Sequence, residues 1–433
     1  MHSPSESQQN AWLICNRKGL PLMKFFIYLI LLTACIPALA QDRNLDYYLG
    51  LARTNSPLLK DYRNQVQLNK VDSEIIIAGY RPQVNGVSNN SYAPSINGFG
   101  YDYAITNGGQ LSALVQANKT FVSKRNLAAQ VQTIHLQNEA VGTTSIIAEK
   151  ELKKAITAQY ISVYGDLAAM NFTREILRLL QNEEIILKNL TQNNIYKQSD
   201  YLSFYVTLQQ QQLAFRQTEI QFRNDYATLN YLCGIVDTAA VPIPDPDLKL
   251  ASLPEVYTTS FYRQYLIDSL KIINQRTVLD FSYKPKLNLF ADAGYNSSFS
   301  YQGYKNFGTS FGLSLVVPIY DGRQRQLKYK KFALDERTRT GYRDFFLRQY
   351  DQQIAQLFQQ LKSTELLIEE INSQIKYSST LIEVNGKLLE KGDIRITDFI
   401  LSINTYLNAR HLLNQNYISR LQLINQINYW ESI

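Results

Sequence analysis

Two long proline-free runs most constrain what this chain can fold into. One lies between Pro94 and Pro242, and the other extends from Pro318 to the C-terminus, in a chain that holds twelve prolines. Proline inside a helix costs about 3 kcal/mol, so segments that must stay helical exclude it. Periodic segments well beyond about 25 residues are typical of coiled coils and other extended helix packing. The two runs therefore predict two very long helical hairpins.

Each run has one interruption near its middle, which we interpret as the tip of a hairpin. In the second run Gly392 suits the left-handed position that ends a helix, and Thr397 suits the N-cap of the next helix. Asp398 then places negative charge at the positive end of that helix. The corresponding positions of the first run are Asn194, Ser199 and Asp200. Helix capping by itself explains these residues, and a functional role is a second interpretation.

Two stretches of alternating residues predict β-hairpins, one over residues 84–119 and one over 286–318. Apolar and polar side chains alternate along three of the four strands, as expected for strands with one apolar face, whereas the first strand alternates poorly and is predicted mainly from its partner. Leu114 and Phe290 are the exceptions, because each falls on a polar face. A strand of about ten residues with this pattern is typical of an outer membrane barrel. A soluble β-sandwich edge is the alternative.

The two halves of the chain repeat the same order of landmarks: strand entry, strand exit, hairpin tip and returning helix. Such a long internal repeat outweighs any single motif. The predicted units are an upstream extension and signal peptide over 1–40, a first repeat over 41–233 with its helical hairpin at 124–233, a proline-rich equatorial linker over 234–257, and a second repeat over 258–433 with its helical hairpin at 322–430. Four strands cannot close a barrel, because bacterial single-chain barrels need at least about eight. Several copies must therefore share one barrel.

The N-terminal segment predicts export from the cytoplasm. Met23 and Lys24 precede an apolar run that ends in Ala38-Leu39-Ala40, which is typical of a signal peptide cleaved after Ala40. We expect residues 1–22 to precede the true start at Met23. Leu32-Thr33-Ala34-Cys35 also resembles a lipobox, which makes Cys35 a possible lipidation site.

The remaining composition excludes several classes of function. Cys233 is the one cysteine of the mature chain, and His135 and His411 are its histidines, without metal-ligand spacing. We therefore expect neither a disulfide framework nor a metal. The net charge of +7 is modest and the basic residues form no tract, so no nucleic-acid partner is expected. A phosphate loop and a nucleophile elbow are absent from the sequence, which argues against an enzyme and a cofactor.

From about Asn44 to Trp430 the chain resembles the TolC-like outer membrane efflux proteins, or outer membrane factors. The most specific matches are Val317-Pro318-Ile319-Tyr320-Asp321-Gly322, the stretch from Lys391 to Asp398, and the double repeat. The resemblance implies a mainly α fold with membrane β-hairpins. It also implies a homotrimer in the cell outer membrane, whose twelve-stranded β-barrel continues into a periplasmic α-barrel. A periplasmic adaptor would connect it to an inner-membrane RND or ABC transporter, for outward passage of small molecules or proteins.

The resemblance also assigns roles at the hairpin tips. The tip aspartate of the family falls on Asp398, with Asp200 as its counterpart in the repeat, and together they would form a periplasmic gate. Arg395 and Lys197 lie close enough in sequence to hold such a gate closed through ion pairs. Leu401 stands where family members often have a second acid. A plain role of Asp398 at the start of its helix is the alternative.

Residues that flank the tips are the candidate contacts for an adaptor: Gly392, Leu388, Leu389, Ile394, Ile396 and Asn194. Ordinary packing between the hairpins is the alternative for each of them. A periplasmic coiled-coil adaptor or scaffold is the alternative for the whole chain. Such proteins also carry helical hairpins, but they lack two β-hairpins with a lipid-facing pattern.

Overall fold

A computed structural model describes residues 43–100, 108–237, 239–298 and 302–431. In chain order these residues form helices α1 (Leu45–Asn55) and α2 (Pro57–Gly79), strands β1 (Gln83–Ala93) and β2 (Gly108–Phe121), helices α3 (Lys124–Gln192), α4 (Gln198–Leu232) and α5 (Ser260–Ser282), strands β3 (Lys286–Ser297) and β4 (Phe307–Val316), and helices α6 (Gln324–Lys391) and α7 (Ile396–Asn428). The predicted signal peptide and Cys35 lie outside these residues. None of the helices in the described ranges contains an apolar stretch of the length that a transmembrane helix needs.

Two helices dominate the molecule. Helix α3 has 69 residues, which at 1.5 Å per residue spans about 100 Å, and α6 is nearly as long with 68 residues. Each turns back at its tip into a helix of about half that length, α4 or α7. The predicted fold of two repeats, each with a β-hairpin and a long helical hairpin, is confirmed. The unit boundaries given above remain a prediction.

A second helix extends each short returning helix. The side-chain amide of Asn55 donates to the carbonyl oxygen of Cys233 at 2.9 Å, which places the end of α4 beside the start of α2. Both α4 and α2 pack against α3. In the second repeat the Trp430 ring lies 4.8 Å from the Phe261 ring, which joins the end of α7 to the start of α5. Both α7 and α5 pack against α6. Each long helix is therefore covered by two shorter helices placed end to end.

The linker after Gly234 crosses the helices and is bound to them by tyrosines. Tyr160 donates to the carbonyl oxygen of Pro244 at 2.8 Å. The hydroxyl groups of Tyr164 and Tyr417 donate to one carboxylate oxygen of Asp245, at 2.9 and 3.1 Å. Because Tyr164 belongs to α3 and Tyr417 to α7, this carboxylate ties the two repeats together.

The strands form one antiparallel sheet in the order β1-β2-β3-β4. The register from Leu111↔Ser297 to Phe121↔Leu287 pairs β2 with β3, which joins the two predicted hairpins. Phe290, the exception on the polar face of β3, lies over Gly312 of β4. A Cβ atom at position 312 would lie 2.5 Å from Cζ of that ring, so glycine makes room for it.

On the opposite face of the sheet, the paired residues of β3 and β4 are apolar and exposed. Leu287 pairs with Leu315, Leu289 with Leu313, and Ala291 with Phe311. The Phe311 side chain is 85% exposed, and Leu313 and Leu315 are each about two-thirds exposed. A continuous apolar surface of this kind on a sheet marks an interaction with another apolar phase or with a partner.

Candidate functional site at the hairpin tips

Both tips end their long helix in the same backbone conformation. Gly392 has φ +79° and Asn194 has φ +61°, both in the left-handed region. The amide of Asp393 donates to the carbonyl oxygen of Leu388 at 2.9 Å, and the equivalent bond of the first tip has the same length. These bonds satisfy the last carbonyl groups of the helix. The predicted helix ends at Gly392 and Asn194 are confirmed.

The predicted N-caps at Ser199 and Thr397 are wrong. The returning helices begin at residues 198 and 396, which places Lys197 and Arg395 at the N-caps, without a side-chain cap. In the first tip Asp200 instead reaches back, and its Oδ2 accepts the amide of Lys197 at 3.2 Å. A carboxylate at the third helical position can satisfy the N-cap amide, so the helix does not need a hydroxyl at its start.

Arg395 forms an ion pair with Asp398, but whether Arg395 and Lys197 hold a gate closed remains a prediction. Arg395 Nε lies 2.9 Å from Asp398 Oδ2, and Nη2 lies 3.3 Å from Oδ1. Both groups are exposed, so the pair contributes at most about 1 kcal/mol. It links neighbouring turns of one helix and does not bridge the hairpins. Among the described residues, no carboxylate oxygen lies within 4 Å of the Lys197 ammonium group.

The two tips pack on each other through a buried apolar cluster. The rings of Phe204 and Phe399 stack with centroids 6.3 Å apart. Tyr196 of the first tip donates to the carbonyl oxygen of Ile394 in the second at 2.8 Å. Leu389 is fully buried and Ile396 nearly so. Neither presents a surface to another protein, so these two residues are removed from the adaptor candidates, and hairpin packing accounts for them.

Gly392 is required by its surroundings as well as by its backbone. A Cβ atom at this position would lie 2.7 Å from Cγ2 of Ile195. That methyl group belongs to the other tip, so the close approach of the two hairpins depends on the missing side chain. Gly392 is half-buried and Asn194 is exposed.

Two half-buried acids each have one buried carboxyl oxygen. Asp166 Oδ2 and Glu183 Oε2 are buried without a hydrogen-bond partner in the described residues. Burial, and then the facing Asp225, raise the pKa of Asp166 to about 8. Burial, and then the negative charge of Glu390, raise the pKa of Glu183. No residue pattern distinguishes these acids from solvated carboxylates on the same helix.

A cleft of about 970 Å³ lies between the two helical hairpins, and its lining includes Asp166, Phe172, Asn372 and Arg410. Arg410 lies over the Phe172 ring at 5.0 Å. Within the described ranges, no three His, Cys, Asp or Glu side chains are grouped so that they would bind a metal ion.

Comparison with known proteins gives matches at the level of structure. No protein-family model matches the sequence, and no curated protein matches it. The CmeC outer membrane channel of Campylobacter jejuni is 13% identical over 90% of this chain and 85% of its own, with a TM-score of 0.71. The outer membrane protein VceC of Vibrio cholerae is 12% identical over 89% and 95%, with a TM-score of 0.72. The open state of the MtrE outer membrane channel of Neisseria gonorrhoeae is 11% identical over 89% and 88%, with a TM-score of 0.71.

These likenesses extend over nearly the whole length of both chains, and none of the three structures is described as an enzyme. The chain therefore has the TolC-like fold, and the resemblance seen in its motifs is confirmed at the level of fold.

Proposed function

We propose that this chain is the outer membrane channel of a tripartite efflux or secretion system. It would conduct small molecules or proteins from an inner-membrane RND or ABC transporter, through a periplasmic adaptor, to the exterior. Three identical copies would build one twelve-stranded barrel in the outer membrane and one helical barrel in the periplasm. The solved structures with this fold are described as outer membrane channels or outer membrane proteins, which supports the proposal.

The observation that carries the proposal is the open sheet. Its strands have 10 to 14 residues, one face is apolar and exposed, and β1 and β4 form its two edges in the described residues. Backbone groups left unpaired in hydrocarbon cost several kcal/mol each, so an open edge is not stable there. Pairing β4 of one copy with β1 of the next removes both edges, and three copies then close the barrel.

The helices support the same arrangement. Leu68 of α2 and Leu213 of α4 are more than half exposed, on the helices that pack against α3. Tyr342 and Tyr377 of α6 are also largely exposed, on the long helix of the other repeat. Different apolar surfaces on the two repeats fit a head-to-tail contact, which closes into a ring.

At the tips we assign the periplasmic gate to Asp398, Asp200, Arg395 and Lys197. The contact with the adaptor is assigned to Gly392, Asn194, Leu388 and Ile394. Leu388 and Ile394 are half-buried in a single copy and keep some surface for a partner. Because the Arg395–Asp398 pair lies within one helix, the gate would act through a ring of repeated charges and not through a link between the hairpins.

The proposal is tested on the mature chain purified in detergent. Native mass spectrometry should give the mass of three chains, and addition to planar bilayers should give stepwise conductance. A monodisperse single chain that remains in solution without detergent and forms no pores would refute the proposal. The same preparation distinguishes the scaffold alternative, because a scaffold would need no detergent.

A further inference from the structure

Positive charge is concentrated where the helices meet the sheet. The four crossing segments 78–86, 117–128, 280–289 and 317–333 contain eleven lysines and arginines but only two acids, Asp280 and Asp321. This is a surplus of nine positive charges, whereas the whole chain has a surplus of seven. The antiparallel register brings all four segments to one end of the sheet. We call these four segments the basic collar.

Most of this charge is not neutralised within the chain. Arg325 is the one collar cation with a carboxylate oxygen within 4 Å among the described residues, since its Nη2 lies 2.6 Å from Asp280. Asp321 accepts the backbone amide of Arg325 at 2.7 Å. Both acids of the collar are therefore engaged by the same arginine. The remaining cations are exposed, apart from the half-buried Lys119.

Lys119 connects the collar to the apolar face of the sheet. It pairs with Leu289, in the same row of side chains as Val115, Ala117 and Phe121. Among the described strand residues of that face, Lys119 is the charged one. Its ammonium group lies 5.5 Å from the centre of the Phe121 ring, at the helix end of the sheet. A long side chain can cover apolar surface while its charge reaches a polar boundary.

The hairpin tips, at the opposite end of the long helices, lack this surplus of positive charge. The tip segments 188–201 and 383–398 hold five basic and five acidic residues, so they are neutral as a group. A general excess of lysine on exposed helices would appear at both ends. Of these two ends, the one beside the apolar sheet carries the surplus.

We propose that the basic collar binds the phosphate headgroups of anionic phospholipids in the membrane leaflet on the helix side. This inference rests on the proposed insertion of the sheet into a membrane. Unneutralised cations next to an apolar surface match a lipid with a negative headgroup and an acyl chain, and clusters of basic residues beside membrane segments attract anionic lipids. A zwitterionic headgroup offers no net charge to the same cluster.

The test uses the full mature chain in detergent with two short-chain lipids, dihexanoyl phosphatidylglycerol and dihexanoyl phosphatidylcholine. Native mass spectrometry counts the bound lipids and measures their affinities at low salt. Each cation near an anionic surface strengthens binding about fivefold. We therefore expect at least a tenfold preference for phosphatidylglycerol, and we expect K328Q/K330Q/K331Q to lose most of it.

The matched control replaces three exposed lysines on the helices outside the collar, K188Q/K362Q/K376Q, and should keep the preference. Equal affinity for the two lipids in the unmodified protein, or the same loss in both triple variants, would overturn the proposal. Displacement of the bound lipid by inorganic phosphate at equal concentration would also overturn it, because the collar would then recognise a free ion.

Trimer mass and bilayer conductance are recorded for each variant. Suppose that the unmodified protein shows no lipid preference, while the collar variant keeps the trimer mass and the conductance. This result refutes the collar inference alone. An unmodified protein that neither trimerises nor conducts refutes the proposed function.

Discussion

The buried carboxyl group of Asp166 predicts that the contact between α3 and α4 loosens as the pH rises. Asp225 of α4 faces Asp166, and its carboxylate also accepts the Gln221 amide at 2.8 Å. The pKa of Asp166 rises from its usual value of 3.8 to about 8, through burial and then through Asp225. The folded protein therefore keeps a proton at Asp166 that the unfolded chain has lost.

The sign and the size of the effect follow from this difference in bound protons. Between the unfolded pKa of 3.8 and the folded pKa of about 8, the folded state binds up to one more proton, so the free energy of unfolding falls as the pH rises. The fall is at most about 1.4 kcal/mol per pH unit. From pH 6 to pH 7.5 it therefore reaches about 2 kcal/mol as an upper value. Asp166→Asn removes the titrating proton and keeps the shape of the side chain.

Hydrogen exchange measured by mass spectrometry is the suitable assay, because local opening does not require reversible unfolding of the whole protein. After correction for the intrinsic pH dependence, peptides that contain Asp166 should open up to about thirtyfold more at pH 7.5 than at pH 6. In Asp166→Asn the change should be less than about threefold. Glu175→Gln, which replaces an exposed acid of the same helix, should behave like the unmodified protein. Equal pH dependence in the unmodified protein and in Asp166→Asn would refute the reasoning.

Three further predictions concern the tips. Gly392→Ala should destabilise the tip by about 1–3 kcal/mol, because a side chain must adopt a left-handed backbone in a crowded position, and faster exchange of tip amides would show it. Leu389→Ala should cost about 2–5 kcal/mol of local stability by opening a cavity; Leu401→Ala, at an exposed site, should cost little, and equal costs would contradict the packing. Asp398→Ala should raise conductance and relax cation preference in planar bilayers, whereas Asp335→Ala, far from the tip on α6, should change neither; unchanged conductance and selectivity in Asp398→Ala would remove the gate role.

The helix starts show how local rules can misplace a boundary. Ser199 and Thr397 are good N-cap residues, and yet each lies inside the first turn. In the first tip the carboxylate of Asp200 accepts the backbone amide of Lys197. This hydrogen bond takes the place of a cap by a serine or threonine hydroxyl. The sequence predicts the acid as a first-turn charge, but its exact position in the turn follows from the path of the chain between the hairpins.

The adaptor candidates show a different difficulty. Leu388 and Leu389 are adjacent leucines, and the sequence gives no reason to expect different burial for them. In the structure Leu388 is half-buried while Leu389 is fully buried against the other hairpin. Which side of α6 faces the first hairpin depends on how two helices far apart in sequence cross. Burial at the tip was therefore not predictable from the hairpin alone.

The sequence by itself determined the helices, their tips and the repeat, because these features depend on local backbone chemistry. Proline is absent wherever a helix continues, and a glycine or an asparagine stands wherever the long helix must end in a left-handed turn. The alternation of apolar and polar residues along a strand likewise predicts which face is apolar, and this pattern also depends on local sequence.

Only the tertiary structure decided which distant residues act together. The pairing of β2 with β3, the raised pKa of Asp166 and Glu183, and the basic collar each depend on segments that are far apart along the chain. The collar lysines and arginines form no tract in the sequence, and they become one surface because antiparallel strands return every crossing segment to the same end of the sheet. Charge interactions depend on distance in space, and the sheet sets that distance.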